Sequence, residues 1–106
     1  MNQLVLSVQL VERGPVRYTP AGLPALDFVL KHESQALEAG QPRKVSMEIR
    51  AVAIGEITRP LASLAIGSSF DTSGFLASQR NGRGIVFHIT QMQQAELPDS
   101  GQIQQR

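Results

Sequence analysis

The stretch that decides the fold is residues 2–32, N-Q-L-V-L-S-V-Q-L-V-E-R-G-P-V-R-Y-T-P-A-G-L-P-A-L-D-F-V-L-K-H. Its first part, Leu4 to Val11, has the pattern of a β-strand, and a loop punctuated by glycine and proline follows. A second strand pattern then alternates apolar with other residues. Its inward positions are Leu26, Phe28 and Leu30. Arg17 and Tyr18 lie inside the loop, so a cation and an aromatic ring are expected together on an exposed turn.

Three more strand patterns follow along the chain. The third runs from Lys44 to Ile54 with period-two alternation, after a polar connector at 35–42 that predicts a loop. The fourth runs from Ser69 to Ser78. The fifth begins at Ile85, after a glycine-rich segment at 79–84 whose Asn-Gly pair is typical of a tight hairpin.

A short helix is expected between the third and fourth strands. Pro60 would break the interior of a helix but suits its first turn, and Thr58 is a candidate N-cap. Gly74 predicts a bulge or a sharp bend in the fourth strand. The order strand, strand, strand, helix, strand, strand is that of the OB-fold, a five-stranded Greek-key barrel. We therefore predict an all-β OB-fold domain over residues 1–97 and a flexible polar tail over 98–106.

Composition excludes several classes of function. The chain has 106 residues, a formal net charge of +1 and no cysteine, so one domain without disulfides or thiolate chemistry is expected. No apolar run is long enough to span a membrane, and the start has no signal-peptide pattern, which favours the cytoplasm. The N-G-R-G segment lacks the Gly-Lys-Ser/Thr ending of a P-loop, and neither a catalytic motif nor metal-ligand spacing occurs. A protein that is not an enzyme and holds no cofactor or metal is predicted.

Short motifs spread over most of the chain resemble those of the PriB family of primosomal replication proteins, which are short relatives of bacterial single-stranded-DNA-binding proteins. The resemblance is carried by L-V-L-S at 4–7, P-A-G-L-P at 20–24, F-V-L-K-H at 28–32, S-G-F at 73–75 and H-I-T-Q at 88–91. Single-stranded-DNA-binding proteins themselves resemble the chain less. They typically stack bases on tryptophans and have a long tail with an acidic tip, whereas this chain has no tryptophan and ends G-Q-I-Q-Q-R.

The resemblance implies a homodimer that binds single-stranded DNA and helps to restart stalled replication forks. It also implies that the protein binds and stimulates the PriA helicase, with the loader DnaT as a further partner in some bacteria. Carried over to this sequence, the family's basic DNA contacts correspond to Arg17 in the first loop. They also correspond to Arg80 and Arg83 in the hairpin between the fourth and fifth strands. The family's aromatic positions fall near Gln41 and Ser46, and neither of these residues is aromatic.

Non-specific binding of single strands requires cations for the phosphates and aromatic faces for the bases. The candidate nucleic-acid-binding residues are Arg17, Tyr18, Arg43, Lys44, Arg50, Phe75, Arg80 and Arg83. Phe75 is chosen because it has the opposite strand parity to Phe70, and Tyr18 because its loop is expected to be exposed. Phe28 and Phe87 lie in strongly alternating strands and are predicted to belong to the core.

The first strand is a candidate dimer interface, because an apolar strand near the N-terminus forms an edge that must be paired or covered. The interface residues predicted are Leu4, Val5 and Leu6. Two functions of different classes remain open: a single-stranded-DNA binder acting with PriA, and mainly a protein adaptor for PriA with weak DNA binding. A general single-stranded-DNA-binding protein is a third reading.

Overall fold

The computed structural model describes residues 1–79 and 82–94, which form a closed barrel. Its elements are β1 (Leu4–Arg13), β2 (Arg17–Tyr18), β3 (Pro24–Glu38), β4 (Gln41–Ile54), α1 (Thr58–Ala62), β5 (Ser69–Ser78) and β6 (Ile85–Gln94). The sheet has the order β1-β5-β6-β4-β3-β2, and an additional pairing of β1 with β3 closes five strands into a ring. The predicted five-stranded OB-fold barrel with one short helix is confirmed. The predicted tail lies outside the described residues.

Two-residue alternation along the strands produces the core. Side chains of one parity point into the barrel, and α1 with the turn after it adds two leucines. The buried cluster comprises Val8, Leu10, Leu26, Phe28, Leu30, Ala51, Ala53, Leu61, Leu64, Phe70, Phe87 and Ile89. The prediction that Phe28 and Phe87 are core residues is therefore confirmed. In the described part of the chain, no helix is long and apolar enough to cross a membrane.

The strand pair β3–β4 is much longer than the sequence pattern indicated. The prediction of a loop at 35–42 is wrong, because only Ala39 and Gly40 connect the two strands. Both have positive φ, 52° and 76°, as a tight two-residue hairpin turn requires. We call the outer part of this hairpin, residues 33–44, the β3–β4 arm. All its residues are exposed, so no buried face marks it as a strand in the sequence.

A bulge between β5 and β6 confirms the expectation at Gly74. The register skips Thr90 between the partners of Ser73 and Gly74, so β6 holds the extra residue. Gly74 faces the core, and a Cβ placed there would overlap the backbone carbonyl of His88. A glycine is needed because the backbone of β6 occupies the space of a side chain.

The helix α1 starts without a side-chain cap. Ile57 occupies the N-cap position, and Thr58 is the first helical residue, so the predicted capping role of Thr58 is wrong. The Thr58 hydroxyl instead donates a hydrogen bond to the backbone carbonyl of Gly55 at 2.7 Å and is buried. Pro60 lies in the first turn, where its missing N–H has no intrahelical acceptor to lose.

Candidate nucleic-acid interface

Strand register and one ion pair place five side chains in one line across the outside of the barrel. Phe75 of β5 lies opposite His88 of β6, and His88 lies opposite Val52 of β4. Val52 in turn pairs with Asp27 of β3, which bonds to Arg17 of β2. We call these five residues the outer row. Each strand of the row contributes one residue, so the line exists only in the folded sheet.

An aromatic pair forms one end of the outer row. The rings of Phe75 and His88 are stacked, with centroids 4.7 Å apart and planes inclined by 6°. Phe75 is 39% exposed, so solvent and ligands reach this pair. The prediction that Phe75 lies on the surface and not in the core is confirmed, whereas a DNA contact by Phe75 stays a prediction.

An ion pair forms the other end of the outer row. The Arg17 guanidinium donates two hydrogen bonds to the Asp27 carboxylate, from Nε at 2.7 Å and from Nη2 at 3.0 Å. These hydrogen bonds, helped by the charge of Arg17, hold the pKa of the Asp27 carboxyl below its usual range, while partial burial acts the other way. The same bonds raise the pKa of Arg17. The pair is therefore ionised at neutral pH and presents a flat, bidentate unit.

A cleft of about 380 Å³ lies along the outer row. Its lining consists of Arg17, Asp27, Phe28, Arg50, Ala51, Val52, Ser78, Gln79, Val86 and His88. Arg50 lies two residues before Val52 in β4 and so shares its face of the sheet. Cations, an aromatic ring and an apolar floor thus meet in one open groove. That combination matches the chemistry of a single nucleic-acid strand, with phosphates outside and flat bases inside.

The other predicted residues lie at different distances from this cleft. Tyr18 is next to Arg17 and 69% exposed, as its loop position predicted. Arg43 and Lys44 belong to the β3–β4 arm and do not line the cleft. Arg43 forms an ion pair with Glu38 at 2.8 Å. Arg83 is exposed and lies two residues before the start of β6.

Three members of the outer row, Asp27, Val52 and His88, were not among the residues predicted to bind nucleic acid. Arg80, which was predicted to bind it, lies outside the described residues. No local motif marks any of the three. They join Arg17 and Phe75 only through the register of β3, β4 and β6.

The predicted dimer strand has an edge without a backbone partner in the described part of the chain. Leu4 to Val8 pair with β5, whereas pairing of β1 with β3 begins only at Gln9. Val5 is 67% exposed, while Leu4 and Leu6 pack against the barrel's own core. The dimer interface at these three residues stays a prediction.

The chain is similar in sequence to a family of single-strand binding proteins and to replication restart proteins. The model of a family described as "another single-strand binding protein family" matches residues 2–91. Replication restart protein PriB of Bordetella pertussis is 49% identical over 80 residues, covering 76% of this chain and 75% of that protein. PriB of Nitrosomonas europaea is 35% identical over 89 residues, covering 83% and 82%.

Solved structures are similar over nearly the whole chain. PriB from Ralstonia solanacearum superimposes with a TM-score of 0.84 at 38% identity, covering 91% of this chain and 99% of that chain. A deletion mutant of the single-stranded DNA binding protein from Thermus aquaticus gives a TM-score of 0.70 at 25% identity, covering 91% of this chain and 51% of that one.

Proposed function

The chain belongs to the PriB family of replication restart proteins, within the single-strand binding proteins, and on that premise we propose that it binds single-stranded DNA in the primosome and helps to restart stalled replication forks. It acts without catalysing a reaction, in the cytoplasm where the chromosome is copied. The observation that carries this proposal is the cleft along the outer row. The ring of His88, stacked on Phe75, the apolar floor and the flanking arginines supply both parts of a single-strand site.

The affinity for DNA follows from the balance of these groups. The net charge is only +1, so attraction depends on a few local cations and not on the charge of the whole protein. Arg17 and Arg50 line the cleft, and Tyr18 and Phe75 offer exposed rings beside it. Asp27 reduces the net positive charge at this point because its carboxylate is ionised and partly exposed. Binding is therefore weak and sensitive to salt.

The second candidate function is that of an adaptor for the PriA helicase, with DnaT as a further partner. The β3–β4 arm favours it, because this long exposed hairpin has no aromatic side chain for stacking on bases. Leu37, 77% exposed, is an apolar contact available to a protein at the end of the arm. The two functions are compatible, since the arm and the cleft are separate surfaces.

A titration of fluorescently labelled oligonucleotide, with and without PriA, distinguishes these functions. The proposal predicts weak binding by the protein alone and tighter binding of the strand when PriA is present. A protein that binds no oligonucleotide by itself but still raises the affinity or activity of PriA would be an adaptor only. Failure of both readouts would contradict the proposed function.

We also propose a two-fold dimer formed through the first half of β1. The edge from Leu4 to Val8 has no strand on its outer side, although the Ser7 carbonyl contacts Nδ1 of His32 at 2.8 Å, and Val5 adds an exposed apolar contact. Light scattering at micromolar concentrations should give twice the chain mass. Val5→Lys should weaken the dimer, whereas Leu37→Lys, at another strongly exposed apolar residue, serves as a control in the arm. A monomeric mass for the parent chain would overturn this proposal.

A further inference from the structure

We infer that the cleft contains a seat for one nucleobase, above Val52 and between the ring of His88 and the Arg17–Asp27 ion pair. The inference rests on the proposed binding of single-stranded DNA and assigns a particular place in the cleft to a base. It makes His88 the residue that contacts the base face, a role that neither its sequence context nor its strand suggests.

The direction of the aromatic stack defines the seat. Phe75 and His88 are directly paired residues of neighbouring strands, and their rings are 4.7 Å apart and nearly parallel. Neighbouring strands are spaced about 4.7–4.9 Å apart, so the stack advances across the sheet by one ring per strand. Phe75 covers one face of the His88 ring. The other face is turned toward β4, where the cleft lies.

The floor at the next position is small and apolar. Val52 is the β4 residue opposite His88, and its side chain is one of those that line the cleft. Val52 is only 6% exposed, yet it is not part of the core cluster. It therefore forms the deep floor of the cleft on the outer face of the sheet. A flat ring placed above Val52 would be the third layer of the stack begun by Phe75 and His88.

The ion pair closes the far side of the seat. Asp27 lies opposite Val52 on β3, so His88 and Asp27 are separated by two strand spacings, about 10 Å between backbones. One aromatic layer fits in that interval with a stacking distance on each side. The guanidinium of Arg17 is planar and held by two hydrogen bonds, and guanidinium planes stack well on bases.

The chemistry of the seat specifies its ligand. Both walls offer flat faces and the floor is apolar, which suits an uncharged aromatic ring and not a phosphate. Arg50, at the same cleft, is placed to contact a phosphate next to the seated base. The ligand class is therefore a base of a single strand, since a base within a duplex has both faces covered by its neighbours.

The test compares two oligonucleotides of equal length, one with normal bases and one in which every residue is abasic. Both have the same phosphates, so their difference in affinity measures contacts to bases. The proteins are the full chain, His88→Ala, which removes the ring, and His88→Phe, which keeps one. The matched control is His32→Ala, at the chain's other histidine, which contacts Ser7 and Ser34 and does not line the cleft. Because Ser7 lies on the proposed dimer edge, light scattering checks that this variant keeps the mass of the parent.

We expect His88→Ala to bind the normal strand about tenfold more weakly, the loss of roughly one stacked base, and the abasic strand as the parent does. His88→Phe should restore most of the affinity, and His32→Ala should resemble the parent. An unchanged affinity of His88→Ala for the normal strand would overturn the base seat. Equal losses for both strands would overturn it too, since the effect would then be structural.

Failure of the proposed function gives a different result. A parent chain that binds neither strand would contradict single-strand binding itself. A parent that binds both strands equally would leave phosphate binding intact and would overturn only the base seat. Thermal unfolding of each variant shows whether it is folded. If His88→Ala does not fold, His88→Phe still tests whether a ring at this position supports binding of the normal strand.

Discussion

Replacing Gly74 by alanine is expected to destabilise the folded chain by about 3 kcal/mol or more. The added methyl group would overlap the backbone carbonyl of His88, and backbone in the middle of a sheet cannot move aside as a flexible side chain can. A folded domain is stable by only about 5–15 kcal/mol, so this is a large fraction of the total. Thermal denaturation should show a fall in the melting temperature of roughly 12 °C or more.

Gly14→Ala is the matched control for this variant. A Cβ at Gly14 would meet its nearest neighbours, the backbone oxygen and the Cβ of Asp27, at 3.8 and 4.0 Å, which is ordinary contact. We expect its melting temperature to stay within a few degrees of the parent's. Equal stability of the Gly74 and Gly14 variants would mean that the bulge between β5 and β6 does not exclude a side chain, and the placement of Phe75 against His88 would lose its basis.

Replacing Arg50 by glutamate should weaken single-strand binding by about 10- to 100-fold. The change removes a cation from the cleft and puts an anion beside the phosphates, and a charge-assisted contact alone contributes about 1.5–3 kcal/mol. The loss should be similar for all base sequences, because a phosphate contact carries no base information. The salt slope should fall by about 0.7, the value for one phosphate contact.

Arg59→Glu controls for the change in total charge. Arg59 is exposed on α1 and does not line the cleft, yet its replacement alters the net charge by the same amount. We expect a loss of less than about threefold, since the effect of an exposed distant charge is largely screened. Two variants that lose affinity equally would show that bulk charge governs binding and that the cleft has no special part in it.

The barrel followed from the sequence because its strands have one buried face. Period-two alternation at Leu26, Phe28 and Leu30 fixes which side of β3 points inward, and a one-residue slip would expose all three. The β3–β4 arm could not be predicted, because both of its faces are in water. Polar residues at such positions are as compatible with a strand as with a loop. Its turn at Ala39 and Gly40 has no Asn-Gly or Asp-Gly pair to mark it.

The candidate site could be predicted only in part. Arg17 and Tyr18 were found because a cation and an aromatic ring in a loop of glycines and prolines are expected to be exposed. Phe75 was found from its parity. His88 and Asp27 were missed because their role depends on lying opposite Val52. Asp27 does so across the antiparallel β3–β4 hairpin, and His88 through the parallel, non-local pairing of β4 with β6. Sequence spacing carries no information on such a pairing.

The salt dependence of single-strand binding by the full chain tests the central claim most directly. A labelled oligonucleotide is titrated at several salt concentrations, with a duplex of the same sequence as control. We predict binding of the single strand over the duplex, with affinity falling linearly on a logarithmic plot. The slope should be about −1.4 for two phosphate contacts or about −2.1 for three. An affinity that does not change with salt, or a preference for the duplex, would contradict a single-strand site along the outer row.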